Sequence, residues 1–226
     1  RLLLVWWYSF LGTVLGVTFA VKLMERGEDV AQAAYKRLGE VEGITAIIKD
    51  EQKHEMALIN MLKEERLDYA SSIVLGLNDA LVELTGALAG LTLAIRDAQL
   101  VALAGLVTGI AASMSMAASG YLSSKEEGNE GGKSPLKSAV YTGVTYLVTV
   151  MLLVAPYFLF ASIYAALAVT LCLAVVIIAS YTFYITTAKS LRFWPRFLEM
   201  AIISLSVAGI SFLVGLVLRV VLGVDA

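Results

Sequence analysis

The chain has 226 residues, 59% of them hydrophobic and only 16% charged, with one cysteine, one histidine and a formal net charge of −2. Soluble domains average about 25% charged residues, so this composition, with a mean hydropathy of +0.80, excludes an ordinary soluble domain and indicates an integral membrane protein. The slight negative charge excludes the basic footprint of a nucleic-acid binder. The single Cys172 excludes an intrachain disulfide and gives no sign of secretion.

The chain begins at Arg1 and enters an apolar stretch with no small-residue cleavage site, so no signal peptide is read and residues upstream of Arg1 are expected. Arg1–Met24 is apolar enough for a sixth span. Lys22 and the helical pattern continuing into Glu28 favour instead a helix at the membrane interface, with Trp6, Trp7 and Tyr8 at the boundary. Val14, Val17, Val21, Tyr35 and Leu38 form one stripe of that helix, and Glu28 falls on it. Gly39–Thr45, with Gly43, predicts a break. A second helix follows over about Ile44–Arg66, with Ile44, Ile47, Ile48, Leu58, Met61 and Leu62 on its apolar stripe. Glu51 and His54 lie on that stripe too.

Glu51-x-x-His54 is the spacing at which a carboxylate and an imidazole on one helix face meet a single metal. Imidazole and carboxylate together suit iron, manganese or zinc. A solvated surface pair is the competing reading, and the apolar stripe weighs against it because burying such groups unpaired is costly. Glu28 faces the same way on the neighbouring helix, with Glu25 as its rival for the ligand role. Glu55, Glu64, Glu65 and Asp50 read as solvated charge.

Five spans follow, at about Ile73–Ile95, Leu100–Leu122, Ser138–Phe160, Ile163–Thr186 and Leu198–Leu222. Ser123–Lys137 between the second and third is polar and glycine-rich, a surface loop. Lys125, Lys133, Lys137, Lys189, Arg192 and Arg196 fall on one side, and Arg96 and Arg219 on the other. The positive-inside rule puts the residues before Ile73 in the cytoplasm and the C-terminus outside.

The first span holds two carboxylates, Asp79 and Glu83, one helical turn apart and so on one face. Each costs roughly 2.5–3.5 kcal/mol near mid-membrane on insertion scales. With a rise of about 1.5 Å per residue, Glu83 sits about 15 Å below Ile73, near the middle of a hydrocarbon core about 30 Å thick. No other span offers a mid-membrane Lys, Arg or His as partner. Acids facing a wet cavity and carrying a cation or proton are therefore expected, with Asn78 adding an amide oxygen beside Asp79. In the second span Met116 lies on a small-residue stripe of Gly109, Ala112, Ser113 and Gly120, where another helix comes close. Met114, two residues away, cannot share that face. A thioether favours softer metals over Mg2+ or Ca2+. Gly86 and Gly90 form a G-x-x-x-G helix-contact motif.

Two resemblances attach to these residues. GLNDALVELTGALAGL of the first span and SMSMAASGYLSSKEE at the end of the second resemble the vacuolar iron transporter family, over about Tyr69–Ala226. That likeness implies a five-helix homodimer that moves Fe2+ or Mn2+ out of the cytosol in exchange for protons, with Asp79 and Met116 on the metal path. Glu83 is added to the path from helical spacing alone. ERGEDVAQAAY and IIKDEQKHE resemble the third and fourth helices of a rubrerythrin-like, or erythrin, ferritin domain. That likeness implies Glu28 (or Glu25), Glu51 and His54 as di-iron ligands. The two together resemble membrane-bound ferritins.

Two departures stand out. Half of a ferritin-like site is absent, since two earlier helices with another Glu and another E-x-x-H are needed to complete it. The loop between the second and third spans is short, and Thr108 stands where the transporter family tends to place a carboxylate.

The expectation is an all-α polytopic membrane protein. Residues 1–68 would be partial ferritin-like helices in the cytoplasm, and residues 69–226 a five-helix transporter domain in the cytoplasmic membrane of a prokaryote. The expected function is export of Fe2+, with Mn2+ open as a second cargo. The alternative is a membrane-anchored di-iron ferroxidase or oxidase, whose activity would require upstream helices.

Overall fold

The computed structural model describes residues 6–7, 12–13, 16–23, 69–127, 134–189 and 191–222. The described residues are helices and short connections, with no strand among them. Five of the helices are long and apolar enough to cross a membrane. They are α1 (Ala70–Ile95), α2 (Ala98–Glu126), α3 (Pro135–Leu159), α4 (Ile163–Ala188) and α5 (Phe193–Leu222). The protein is an all-α integral membrane protein.

The helices run past the apolar stretches at several ends. Backbone hydrogen bonding continues into the polar boundary, where hydropathy has already fallen. Thus α2 continues to Glu126 and α3 starts at Pro135, which shortens the expected Ser123–Lys137 loop from both sides. Pro135 takes the first turn, where its missing N–H costs nothing. The α1–α2 connection is only Arg96 and Asp97. Arg96 closes α1 in the left-handed region (φ 56°), and the Asp97 carboxylate caps α2 by accepting the Leu100 N–H at 2.9 Å.

The chain divides into two compact units, one of Arg1–Asp68 with Phe183–Arg192 and one of Tyr69–Thr182 with Phe193–Ala226. In the first, residues 17–23 are helical, and Phe19 is buried between Tyr184, stacked at 5.2 Å, and the edge of Phe183. The expected unbroken stripe is corrected here. Gly16 has φ 102°, a left-handed conformation that interrupts regular helix. Val17 is 46% exposed, whereas Thr18, Phe19 and Ala20 are buried. No candidate span precedes α1 among the described residues. Glu25, Glu28, Tyr35, Glu51 and His54, and with them the expectation of ferritin-like helices, lie outside the described residues.

The second unit is built around α1, which packs against α2, α3 and α5. Leu77, Leu81, Leu84 and Leu88 recur at helical spacing along α1 and are all buried. They meet Val150, Leu153 and Tyr157 of α3, with Ala174 and Ile178 of α4 in the same core. Polar side chains tie the helices together at several depths. Ser72 and Ser138 share a hydrogen bond at 2.8 Å, and Thr92 and Tyr157 another at 2.7 Å, both between α1 and α3. Thr170 Oγ1 donates to the Leu153 carbonyl at 2.9 Å, and Ser204 Oγ to the Leu81 carbonyl at 3.2 Å. The paired residue numbers of α1 and α3 rise together, as do those of α1 and α5, so these three helices run the same way. α2 runs opposite, since Gly120 meets Thr142 while Gly109 meets Val150. Lys125, Lys137 and Arg196 therefore sit at one end of the unit, and Arg96 and Arg219 at the other.

The G-x-x-x-G of α1 is used inside the chain. A Cβ at Gly86 would lie 3.0 Å from Val207, and one at Gly90 2.9 Å from the Ser211 carbonyl oxygen. Gly215 returns the contact, its Cβ position falling on the Gly90 carbonyl. Gly86 and Gly90 face Ser211 and Gly215 at matching four-residue spacing, and backbones meet there. These glycines are occupied by α5 and cannot also serve as the contact between two copies, so they give no support to a dimer.

Candidate metal path in the membrane

Helical geometry places Asp79 and Glu83 one turn apart on α1, as expected, but their surroundings differ. Asp79 is half-buried and Glu83 is exposed on the open side of the unit. Both are expected to face a wet cavity, and in the single chain the face that carries Glu83 is uncovered. Helical spacing says which side chains share a face, and it does not say whether anything covers that face. Nor is Glu83 without a partner. The Tyr146 hydroxyl on α3 donates to Glu83 Oε2 at 2.7 Å. Tyr146 is itself fully buried in the core. Tyr146 is neutral and so does not stand out among the spans as a cation would. The signal was a tyrosine in mid-span, away from the interfaces where tyrosines collect.

Asn78 Oδ1 is buried and has no hydrogen-bond partner among the described residues. The same holds for Thr85 Oγ1, two turns on along the same side of α1. A threonine in a helix commonly bonds back to the carbonyl one turn earlier. For Thr85 that carbonyl belongs to Leu81, which already accepts from Ser204. Thr142 Oγ1 is a third orphan, lying against Gly120 where α2 meets α3. Buried orphans of this kind are rare in native structures and call for a physical reason.

Met116 is partly buried and packs against the core, while Met114 is 70% exposed, so the two methionines do part company as their spacing requires. The stripe around Met116 is a close helix contact. Cβ positions at Gly109 and Gly120 fall against Val150 and Thr142, and one at Gly143 falls 2.8 Å from Ala117 Cβ. Because α2 runs against α3 and α1 runs with it, this register sets Met116 near the level of Gly143 and Tyr146. That is also the level of Asp79 and Glu83.

The structure thus brings Glu83 and Tyr146 into contact and sets Met116 at a similar depth. Among the described residues, no three His, Cys, Asp or Glu side chains gather as a metal-holding group. One copy of the unit offers two carboxylates on one helix, an amide oxygen and a thioether, a mixed oxygen and sulfur set suited to a soft-leaning divalent ion. No curated protein matches the chain. Residues 70–130, which take in α1 and α2 and carry Asn78, Asp79, Glu83 and Met116, match the model of the VIT family, the vacuolar iron transporters.

Proposed function

We propose that this protein exports a divalent metal, Fe2+ first and Mn2+ as a second cargo, in exchange for protons. The observation that carries the reading is the pair of carboxylates Asp79 and Glu83 on a membrane helix that lies within the VIT-family match. A mid-membrane acid is costly to hold and commonly marks an ion path. In this reading Asp79 is the principal ligand, Met116 supplies a soft sulfur, and Glu83 supplies an oxygen. Protons compete with the metal for the carboxylates, which links release to proton entry. The protein acts in a prokaryotic cytoplasmic membrane, with its basic end and N-terminal segment in the cytoplasm. The test is Fe2+ flux into proteoliposomes, with and without a pH gradient. Flux that needs the protein and responds to the gradient is expected, and absence of any metal flux would sink the reading.

The exposed Glu83 supports a homodimer that closes over this face of α1, because one phenol hydrogen bond does not offset the cost of a carboxylate left against lipid. Purified protein in mild detergent should run at twice the chain mass of 24.2 kDa by light scattering. A strictly monomeric species would exclude this arrangement.

The N-terminal segment, in our reading, collects the metal. Its E-x-x-H pair Glu51 and His54, with Glu28 or Glu25, would hold iron as half of a ferritin-like site. His54→Ala should weaken iron binding by about tenfold or more, measured as the affinity from a titration of the purified protein with Fe2+. Unchanged binding would remove the capture role and leave the membrane path standing.

A further inference from the structure

The hydrogen bond between Tyr146 and Glu83 has a stereochemical effect on the ligand. The Tyr146 phenol donates to Glu83 Oε2 at 2.7 Å, which occupies one lone pair of that oxygen and fixes how the carboxylate is turned, with Oε1 the oxygen not held by the phenol. The phenol cannot follow if the carboxylate turns. Tyr146 is fully buried, and α3 is pinned against α2 on either side of it, by Ala117 at Gly143 and by Gly109 at Val150. Rotating the carboxylate to grip a metal through both oxygens would carry Oε2 away from the fixed phenol, and a buried O–H donor that loses its acceptor is costly.

Ions differ in what they ask of a carboxylate. Ca2+ takes about six to eight oxygens and commonly grips a carboxylate through both. Transition-metal ions accept one oxygen from each carboxylate together with softer donors. We propose that Tyr146 is a positioning residue that makes Glu83 a one-oxygen ligand, and that it thereby discriminates against Ca2+ in favour of the transition-metal cargo. The proposal rests on the metal-path reading above and deepens it by naming what excludes a competing ion.

The test is Ca2+ competition against Fe2+ flux in proteoliposomes. Tyr146→Phe keeps the ring and removes the hydroxyl. It should lower the Ca2+ concentration giving half-inhibition by about tenfold or more, the range typical of outer-shell partners of a metal ligand. In a Glu83→Gln background, adding Tyr146→Phe should bring no further change. Glu83→Asp withdraws the carboxylate from the phenol by one methylene and should reproduce the Ca2+ sensitivity. It serves as the second variant should Tyr146→Phe fail to fold. Half-inhibition at the wild-type Ca2+ concentration in the folded variants would overturn the proposal, as would a Tyr146→Phe effect that persists undiminished in the Glu83→Gln background. Failure of the underlying reading looks different, because Asp79→Ala would then keep wild-type flux whatever Ca2+ does.

Discussion

Asp79→Ala should abolish Fe2+ flux while leaving the protein as easy to produce as the wild type, or easier. Outer-shell partners of metal ligands are worth about 10–100-fold, so loss of the principal ligand should exceed about a hundredfold. Asp79→Asn should fare equally badly, since it keeps the shape and one acceptor but loses the charge. Insertion should move the other way, because each variant removes a charge that costs roughly 2.5–3.5 kcal/mol at mid-membrane. Yield and thermal stability in detergent should therefore hold or rise as flux falls, which separates a functional loss from a folding loss. Glu83→Ala should be milder, because one of its oxygens is already engaged by Tyr146. Full proton-coupled flux in Asp79→Ala would remove Asp79 from the path. Flux lost only in step with stability would make the acid structural.

Gly76→Ala should be among the most damaging single-methyl changes in the membrane unit, alongside Gly215→Ala. A Cβ at Gly76 falls on the carbonyl of Thr142, a backbone atom that no side-chain rotation can move. The two helices would have to part. The same α1–α3 seam carries the Ser72–Ser138 bond one turn before and the Glu83–Tyr146 bond two turns after. Overpacking a filled interface costs about 1–3 kcal/mol and sometimes more, and loss of those bonds adds to it. Thermal unfolding in detergent should shift down strongly, and flux should fall with it. Gly209→Ala is the control, since a Cβ there has nothing within 4 Å. Equal melting of the two variants would mean that the seam yields more readily than its backbone contact implies.

Membrane spans were the most legible feature, because twenty or so apolar residues have few other uses. Their ends were less so. α5 starts at Phe193, ahead of the expected Leu198, since Pro195 is tolerated in a first turn and the aromatic and basic residues around it suit the membrane boundary. Asp79 and Glu83 were legible as a shared helix face. Tyr146 was not, because its partnership with Glu83 joins residues 63 apart in sequence, on different helices. The contact value of Gly86 and Gly90 was visible, but not their partner. A G-x-x-x-G reads the same whether it meets a helix of its own chain or of another. The orphan atoms of Asn78 and Thr85 were invisible for a related reason. Whether a buried polar atom is satisfied depends on which side chains of other helices reach it or its neighbours, as Ser204 of α5 reaches the Leu81 carbonyl.

The two-residue connection at Arg96 and Asp97 bears on how this chain enters a membrane at all. α1 has a mean hydropathy of 1.4 over its most apolar window, the lowest of the five spans, and α2 has 1.9. With two acids aboard, α1 is the segment a translocon would be slowest to release into lipid on its own. A left-handed residue followed at once by a capped helix start turns the chain back without slack. α1 and α2 can then partition together as a helical hairpin, the more apolar arm carrying the acidic one across. Lengthening that turn should therefore show itself during biosynthesis, as α1 left unintegrated, before it shows in the finished protein.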